Sequence, residues 1–436
     1  MSVEDKMTLT RAYRKIFWRL PPFILLCYTL AYLDRINIGY AKLHMQQALN
    51  LSDAAYGLGA GIFFIGYVVF EVPSNLLLTR IGMRRTVCRI MVLWGLTSAA
   101  MMFVRNETMF YALRFLLGVF EAGFAPAMFY YCSQWFTRRR QATALAIVGC
   151  AGPIGGTFGV LSTWIMSAMD QVYGLAGWQW LFIVEGLPSV LVGVWAYRYI
   201  VDHPHQASWL TAQEKTAVIQ ALTNEQQNSP QVSASFREAI RQPRLYLLAL
   251  GYFCFIASMY IAHFWLPTLI KKMGITGDVH IGMYASLPSL LMLCTMFFYA
   301  RHSDRYEERR WHTAIPMGVG ALLLAIATLA NAHVVSLPFV FMYGALTLAL
   351  VSMYCTYIVF WSIPGEYFAS GPAAAGGMAL INSLGLIGGF LSPSLTGVLN
   401  TGDPSFTATL MLMTGMVSVG AIAFAINIPP QKTQYE

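Results

Sequence analysis

The sequence predicts an all-α integral membrane protein, with twelve transmembrane helices in two six-helix bundles. Three observations carry that expectation. Of 436 residues, 57% are hydrophobic and only 11% are charged, against about 25% charged in a soluble domain. The apolar residues gather into runs of the length that crosses a bilayer, roughly 20 residues each. A single long polar stretch, residues 201–244, divides those runs six and six.

Taken in order, the runs place spans at about 20–40, 55–78, 87–104, 109–133, 142–168, 178–200, 245–270, 280–300, 313–331, 335–362, 373–399 and 405–428. Residues 1–19 form an N-terminal segment, 20–200 the first bundle, 201–244 a linker, 245–428 the second bundle and 429–436 a tail. Leu9, Tyr13, Ile16 and Leu20 recur at helical spacing among Arg11, Arg14, Lys15 and Arg19, a pattern shared by a short interfacial helix and a basic topogenic tail. The first 19 residues lack a signal peptide's apolar core, so the first span is expected to be retained.

The net charge of +8 does not mark a nucleic-acid partner, because its placement follows the membrane. With the N-terminus inside, 22 of 28 basic residues fall in inside segments or at the inside ends of spans, while the outside loops hold only Lys42, Arg105, Lys271 and Lys272. Both termini are therefore expected on the cytoplasmic side. The linker opens a helix at a capping-box pattern, Thr211 to Glu214. His203 and His205 flank a proline on this polar loop and read as solvated residues, not a metal pair. The seven cysteines form no CxxC pair and read as small packing residues. No HExxH, GxSxG or P-loop is present, so no enzyme, metal or cofactor is expected.

Two loops at equivalent places in the halves resemble one another, NLLLTRIGMRR after the second span and ARHSDRYEERR after the eighth. Both resemble the G-x-L-x-D-R-x-G-R-R signature of the major facilitator superfamily, which implies a cytoplasmic gate built from Arg80, Gly82, Arg84, Asp304 and Arg305. Thr79 stands where that signature has its acid, Asn75 replaces its glycine and Met83 its first paired basic residue.

Ionisable residues inside spans are costly and mark transport paths. The fourth span, YALRFLLGVFEAGFAPAMFYY, holds Arg114 and Glu121 seven residues apart, almost two turns and about 20° off one face. In the first span, Asp34 and Arg35 point about 100° apart and must seek partners on other helices. Two acids and two arginines make a proton-coupling device: an anion that draws an arginine frees a carboxylate to take a proton. Glu71, Glu185 and Glu366 lie near inside helix ends, where structural or gate pairing is the expected use. In the eleventh span, Asn382 and Ser383 are the strongly polar pair, suited either to a hydroxylated acid or to interhelical bonding. Tyr252, Tyr260, His263, Tyr354, Tyr357 and Trp361 are candidates for an opposing aromatic wall, or for packing.

YLDRINIGYA, EVPSNLLL, RFLLGVFEAGFAPAMFYY, GWQWLFIVEGLPSVLVGV, HPHQASWLTAQEK and AAAGGMALINSLGLIGGFLSP together resemble the anion:cation symporter family within that superfamily. The resemblance spans essentially the whole chain. It implies the major facilitator fold and import of an organic carboxylate by proton symport. Sugar acids such as aldonates, aldarates or tartrate come first, and aromatic acids second. It also implies that Asp34 and Glu121 take protons, that Arg35 and Arg114 pair with them, and that Tyr67 and Asn382 meet substrate. The expected partners are a small organic anion, protons and the lipid bilayer of a bacterial inner membrane, with a monomeric chain and no nucleic acid. Two rivals are a drug:proton antiporter, whose motif Gly152-Pro153-Ile154-Gly155-Gly156 resembles in part, and a non-transporting membrane sensor. Buried arginines would repel a cationic drug. The linker is too short for a signalling domain.

Overall fold

The computed structural model describes residues 3–228, 241–306, 308–367, 372–403 and 405–427. Sixteen helices of six residues or more account for the architecture of these residues, which include no strand. The first is α1, Val3–Ala48, a continuous helix that carries the basic N-terminal residues into the first span despite Pro21 and Pro22.

Helix α2, Asp53–Ala100, holds 48 residues, about 72 Å at 1.5 Å per residue, far beyond one crossing of a roughly 30 Å core. It is two spans joined at Gly82, whose φ of 82° and ψ of 169° break the helix. Among the described residues, eleven apolar helical runs are long enough to cross a membrane, and this bend makes the Asp53–Phe103 run two crossings, in line with twelve spans.

The fourth span is interrupted, with α3 at Glu107–Glu121 and α4 at Phe124–Trp135. The cause is local. Pro126 has no N–H for the carbonyl of Ala122, and Gly123 takes the left-handed conformation at φ 84°. The fifth span breaks twice, into α5, Arg138–Val148, α6, Ala151–Thr157, and α7, Gly159–Ala168. Pro153 denies a donor to Gly149 there in the same way. The sixth span is α8, Gly177–Tyr199.

The linker supplies α9, Ala212–Asn228. The later spans are α10, Pro243–Lys272, α11, Asp278–Tyr306, α12, Arg310–Asn331, and α13, Phe339–Phe360, followed by the short α14, Ser362–Tyr367. Last come α15, Pro372–Gly402, and α16, Thr407–Ile426.

The chain divides into two compact units, one of residues 1–37, 65–158 and 168–229, the other of 38–64, 159–167 and 230–436. In the first unit, the start of the linker docks beside the base of α1. Arg19 lies 4.5 Å from the ring centre of Tyr199 and 5.2 Å from that of Trp209, and Trp209 stacks on Trp135. Tyr131 donates to the carbonyl of Val201 at 2.8 Å.

In the second unit, α10 packs along α15 and α16, and α12 lies between α13 and α16. The ends of α1 and α2 that belong to this unit fasten onto α10: the hydroxyl of Tyr56 meets the carbonyls of Ile38 and Phe264 at 3.2 and 3.0 Å. Large apolar side chains such as Leu191, Val194, Leu322 and Val340 point outward, the pattern a lipid-facing surface requires.

Candidate functional site

In the first unit, α1 delivers Asp34 and Arg35 to different neighbours. The Arg35 guanidinium donates to the carboxylate of Glu121 on α3, and both side chains are buried. The same guanidinium lies 5.6 Å from the ring centre of Tyr67 on α2 and 5.2 Å from that of Tyr32. A cation buried among one carboxylate and two aromatic faces is held by charge and by ring quadrupoles together. Arg114 and Glu121 share the buried face of α3, about 10.5 Å apart along the axis.

Asp34 is held by different chemistry. Ser98 and Trp94 of α2 and Ser189 of α8 donate to it, at 2.6, 3.1 and 2.6 Å. All three donors are neutral. Oδ2 accepts twice and Oδ1 once, so the carboxylate is fixed by hydrogen bonds that need no ionic partner. Sequence reasoning found Asp34 but not this cage; the signal available was Trp94 and Ser98 four residues apart, on one face of a span.

Glu121 is the last residue of α3, and the chain breaks immediately after it at Ala122 and Gly123. A side chain at Gly123 would meet Ser74 of α2 at 2.7 Å, and that same serine accepts from Arg89 at 2.8 Å. The acid of the pair thus sits on a non-helical joint whose far side abuts the α2 bend region.

Asn382 and Ser383 lie on α15 in the second unit and are half-buried. There, Tyr252 stacks on Phe360 at 5.0 Å and meets Trp361 edge-on at 5.1 Å, while Tyr357 stacks on Phe255 at 5.0 Å. Tyr260 packs against Phe64 at 4.5 Å and His263 at 5.7 Å. Tyr252, Phe255, Tyr354, Tyr357, Phe360 and Trp361 form an aromatic slab, and Tyr260 packs in a separate group with Phe64 and His263; Tyr252, Tyr260 and Tyr354 are all buried.

Arg84, Gly82 and Asp304 each meet a neighbour within their own unit. The backbone N–H of Arg84 donates to Asp202 at 2.8 Å, and its guanidinium donates to the carbonyl of Tyr197 and covers that ring. Asp202, at the head of the linker, also abuts Gly82. An acid from the linker therefore serves the loop in which Thr79 replaces the signature acid. Arg80 is exposed, as are Asp304 and Arg305, and Asp304 pairs with Arg309 at 2.8 Å. Glu71 and Glu185 are buried, and the side chain of Glu366 lies outside the described residues. In α6, Gly155 packs over Tyr32 of α1, a close approach that accounts for small residues in that segment.

The Major Facilitator Superfamily family model matches residues 24–393. The chain belongs to that superfamily. It is a membrane transporter and not an enzyme, with the all-helical fold of the family. A protein of Agrobacterium vitis named "Putative tartrate transporter" is 42% identical over 412 residues, covering 94% of this chain and 90% of the relative. A "Quinolone resistance transporter" of Acinetobacter baumannii is 35% identical, covering 97% and 96%. Among solved structures, a bacterial homolog of the human lysosomal transporter Spinster, inward-facing and unoccupied, matches with a TM-score of 0.72 at 16% identity over 95% of this chain and 96% of that one. At that identity the likeness speaks for the fold alone.

Proposed function

We propose that this transporter imports an organic carboxylate together with protons by alternating access, with both termini in the cytoplasm. The observation that carries the reading is the buried Arg35–Glu121 pair, with Arg114 on the same face of α3. A substrate carboxylate competes with Glu121 for the guanidinium. Once released, Glu121 is a carboxylate in a dry site, and protonation removes the cost of leaving it charged there. Substrate and proton then enter as a neutral set. Bringing one negative charge inward against about 100 mV costs roughly 2.3 kcal/mol, and one proton cancels it. Asp34, held by neutral donors one residue along, is the second proton-accepting group, and a second proton would make uptake voltage-driven.

The substrate class favoured is a hydroxylated acid, in keeping with the tartrate name carried by the Agrobacterium relative. Tyr67, Asn382 and Ser383 are the candidate hydroxyl partners. The aromatic slab around Tyr252 and Tyr357 favours a second reading, an aromatic carboxylate. The relative named for quinolone resistance keeps export as the rival direction. Uptake into proteoliposomes of aldonates, aldarates, tartrate and aromatic acids, with and without an inward proton gradient, decides among them. Gradient-driven accumulation of an acid supports the proposal. Accumulation of every acid at a level indifferent to the gradient rejects coupling, and cargo moving against the proton flow makes the chain an antiporter.

A further inference from the structure

We propose that the transporter has a second anion site, a receiving site for the substrate carboxylate built from Lys42 and Lys272 around Trp265 and Thr268, at the end of the second unit that the positive-inside distribution assigns to the outside. This inference rests on the organic-anion reading above. Three of the four basic residues assigned to outside loops, Lys42, Lys271 and Lys272, belong to this end.

Lys42 is the centre of the argument. Its side chain is 2% exposed, and an ammonium that dry must be held by strong partners. It makes an ion pair with Asp53 at 2.9 Å and lies 4.2 Å from the ring centre of Trp265 and 5.1 Å from that of Tyr56. Asp53 is not devoted to it, since the same Oδ1 accepts from Gln46 at 2.7 Å. Phe406 packs against Trp265 at 5.5 Å, and Lys272 lies 4.6 Å from the Phe406 ring centre. Two lysines thus flank one aromatic pair.

The neutral groups at this place are donors. The indole N–H of Trp265 and the hydroxyl of Thr268 are buried without a hydrogen-bond partner. With Lys272 they occupy positions i, i+3 and i+7 of α10, a single stripe. Buried donors in want of an acceptor, beside a dry ammonium, are what a carboxylate satisfies. The other acids at this end have hydrogen-bond partners of their own, although the charge of Asp403 also acts on Lys272. Asp278 pairs with His44 at 2.8 Å, and Asp403 accepts from the backbone N–H groups of Ser405 and Ala408 at 3.0 and 2.9 Å.

In the conformation described, Lys42 and Trp265 are shut in by α1, α2 and α10, and Asp53 stands where an anion would. An arriving carboxylate takes Lys42 from Asp53 and draws on Lys272, Trp265 and Thr268. Losing Lys42 from Asp53 loosens the contact between α1 and α2 here, so anion arrival and opening of this end become one event. The site recognises a carboxylate on its way in and has no part in release on the other side.

The test is side-resolved transport of labelled tartrate in oriented proteoliposomes, measuring KM from each face for wild type, Lys42→Gln, Lys272→Gln and Asp53→Asn. Lys42→Gln and Lys272→Gln are expected to raise the outside KM at least fivefold, with the inside KM moving less than twofold. Asp53→Asn, which removes the competing carboxylate, is expected to lower the outside KM. Lys272 is exposed, so its substitution keeps the test valid if Lys42→Gln fails to fold. Parallel changes from both faces, or an outside KM indifferent to Lys272→Gln and Asp53→Asn, overturn the site while leaving the transport reading intact. A wild type that moves neither tartrate nor any other acid of the panel overturns both.

Discussion

Arg35 of α1 and Glu121 of α3 form an ion pair with both partners buried. Removing one partner of such a pair leaves a naked charge and costs about 3–5 kcal/mol, while removing both together is close to neutral. Glu121→Gln and Arg35→Gln are each expected to lower thermal stability in detergent, and the double variant to recover most of the loss. In transport, Glu121→Gln is expected to abolish gradient-driven accumulation while keeping some exchange, and Arg114→Ala to be severely impaired. Normal accumulation by Glu121→Gln and Arg114→Ala would remove the proposed roles.

Asp34 carries a separate prediction because its three donors are neutral. In Asp34→Asn, the new NH2 can face Ser98, whose hydroxyl oxygen accepts it, while Trp94 and Ser189 still donate to the remaining oxygen. A lost buried hydrogen bond with its partner left unsatisfied costs about 1–3 kcal/mol. Asp34→Asn is expected to keep most of its stability and lose coupled uptake, whereas Ser189→Ala loses about 1–3 kcal/mol and keeps proton coupling. Thermal unfolding and gradient-driven uptake on the two variants separate cage from carboxylate. A Ser189→Ala variant that unfolds at the wild-type temperature would show that the cage is not holding Asp34.

The contrast between these two acids shows what a single sequence discloses. Charges inside apolar runs stand out because water is absent there, so the buried charges Asp34, Arg35, Arg114 and Glu121 were legible. Their pairing was not. Helical spacing gives the direction of a side chain on its own helix, and says nothing of which helix lies opposite. Neutral partners such as Trp94, Ser98 and Ser189 look like ordinary span residues until the helices are packed. Asp202 was hidden for the opposite reason: an acid in a polar linker carries no signal, although it serves the Gly82 turn. The break after Glu121 was half visible, since Gly123 and Pro126 stand in the sequence but a proline inside a membrane helix commonly only kinks it.

That break has its own test. Gly123 adopts φ 84°, where an L-residue pays about 1–2 kcal/mol, and an added Cβ would lie 2.7 Å from the Ser74 hydroxyl. Gly123→Ala is expected to cost at least that much stability and to reduce uptake by moving Glu121 away from Arg35. Gly123→Ala/Ser74→Gly removes the clash but keeps the backbone strain, so it is expected to recover only part of the loss. Wild-type melting and uptake in Gly123→Ala would mean that the joint is not needed.

The linker offers a prediction in pH. Thr211 and Glu214 form the capping box expected at the head of α9, with the Thr211 N–H donating to Glu214 at 2.9 Å. Lys15 of α1 closes on the same carboxylate at 2.8 Å. Burial alone would raise the Glu214 pKa, but the bonds from Lys15 and Thr211 outweigh it and hold the carboxyl below its ordinary value. A group depressed in the folded state stabilises fully above its unfolded value, about 4.3 for Glu, and loses that stabilisation as pH falls through the folded value. Docking of α9 on the base of α1 is therefore expected to be constant from pH 7 to about 5 and to weaken below about 4. Because the Lys15 side chain is 41% exposed, added salt weakens the contact at neutral pH as well. Hydrogen exchange across residues 211–220, corrected for the intrinsic pH dependence, measures this. Glu214→Gln is expected to exchange at pH 7 as fast as the wild type does in acid strong enough to protonate the carboxyl, with no further acid response. A wild-type linker equally protected at pH 7 and in such acid would show that Lys15 and Glu214 do not hold it.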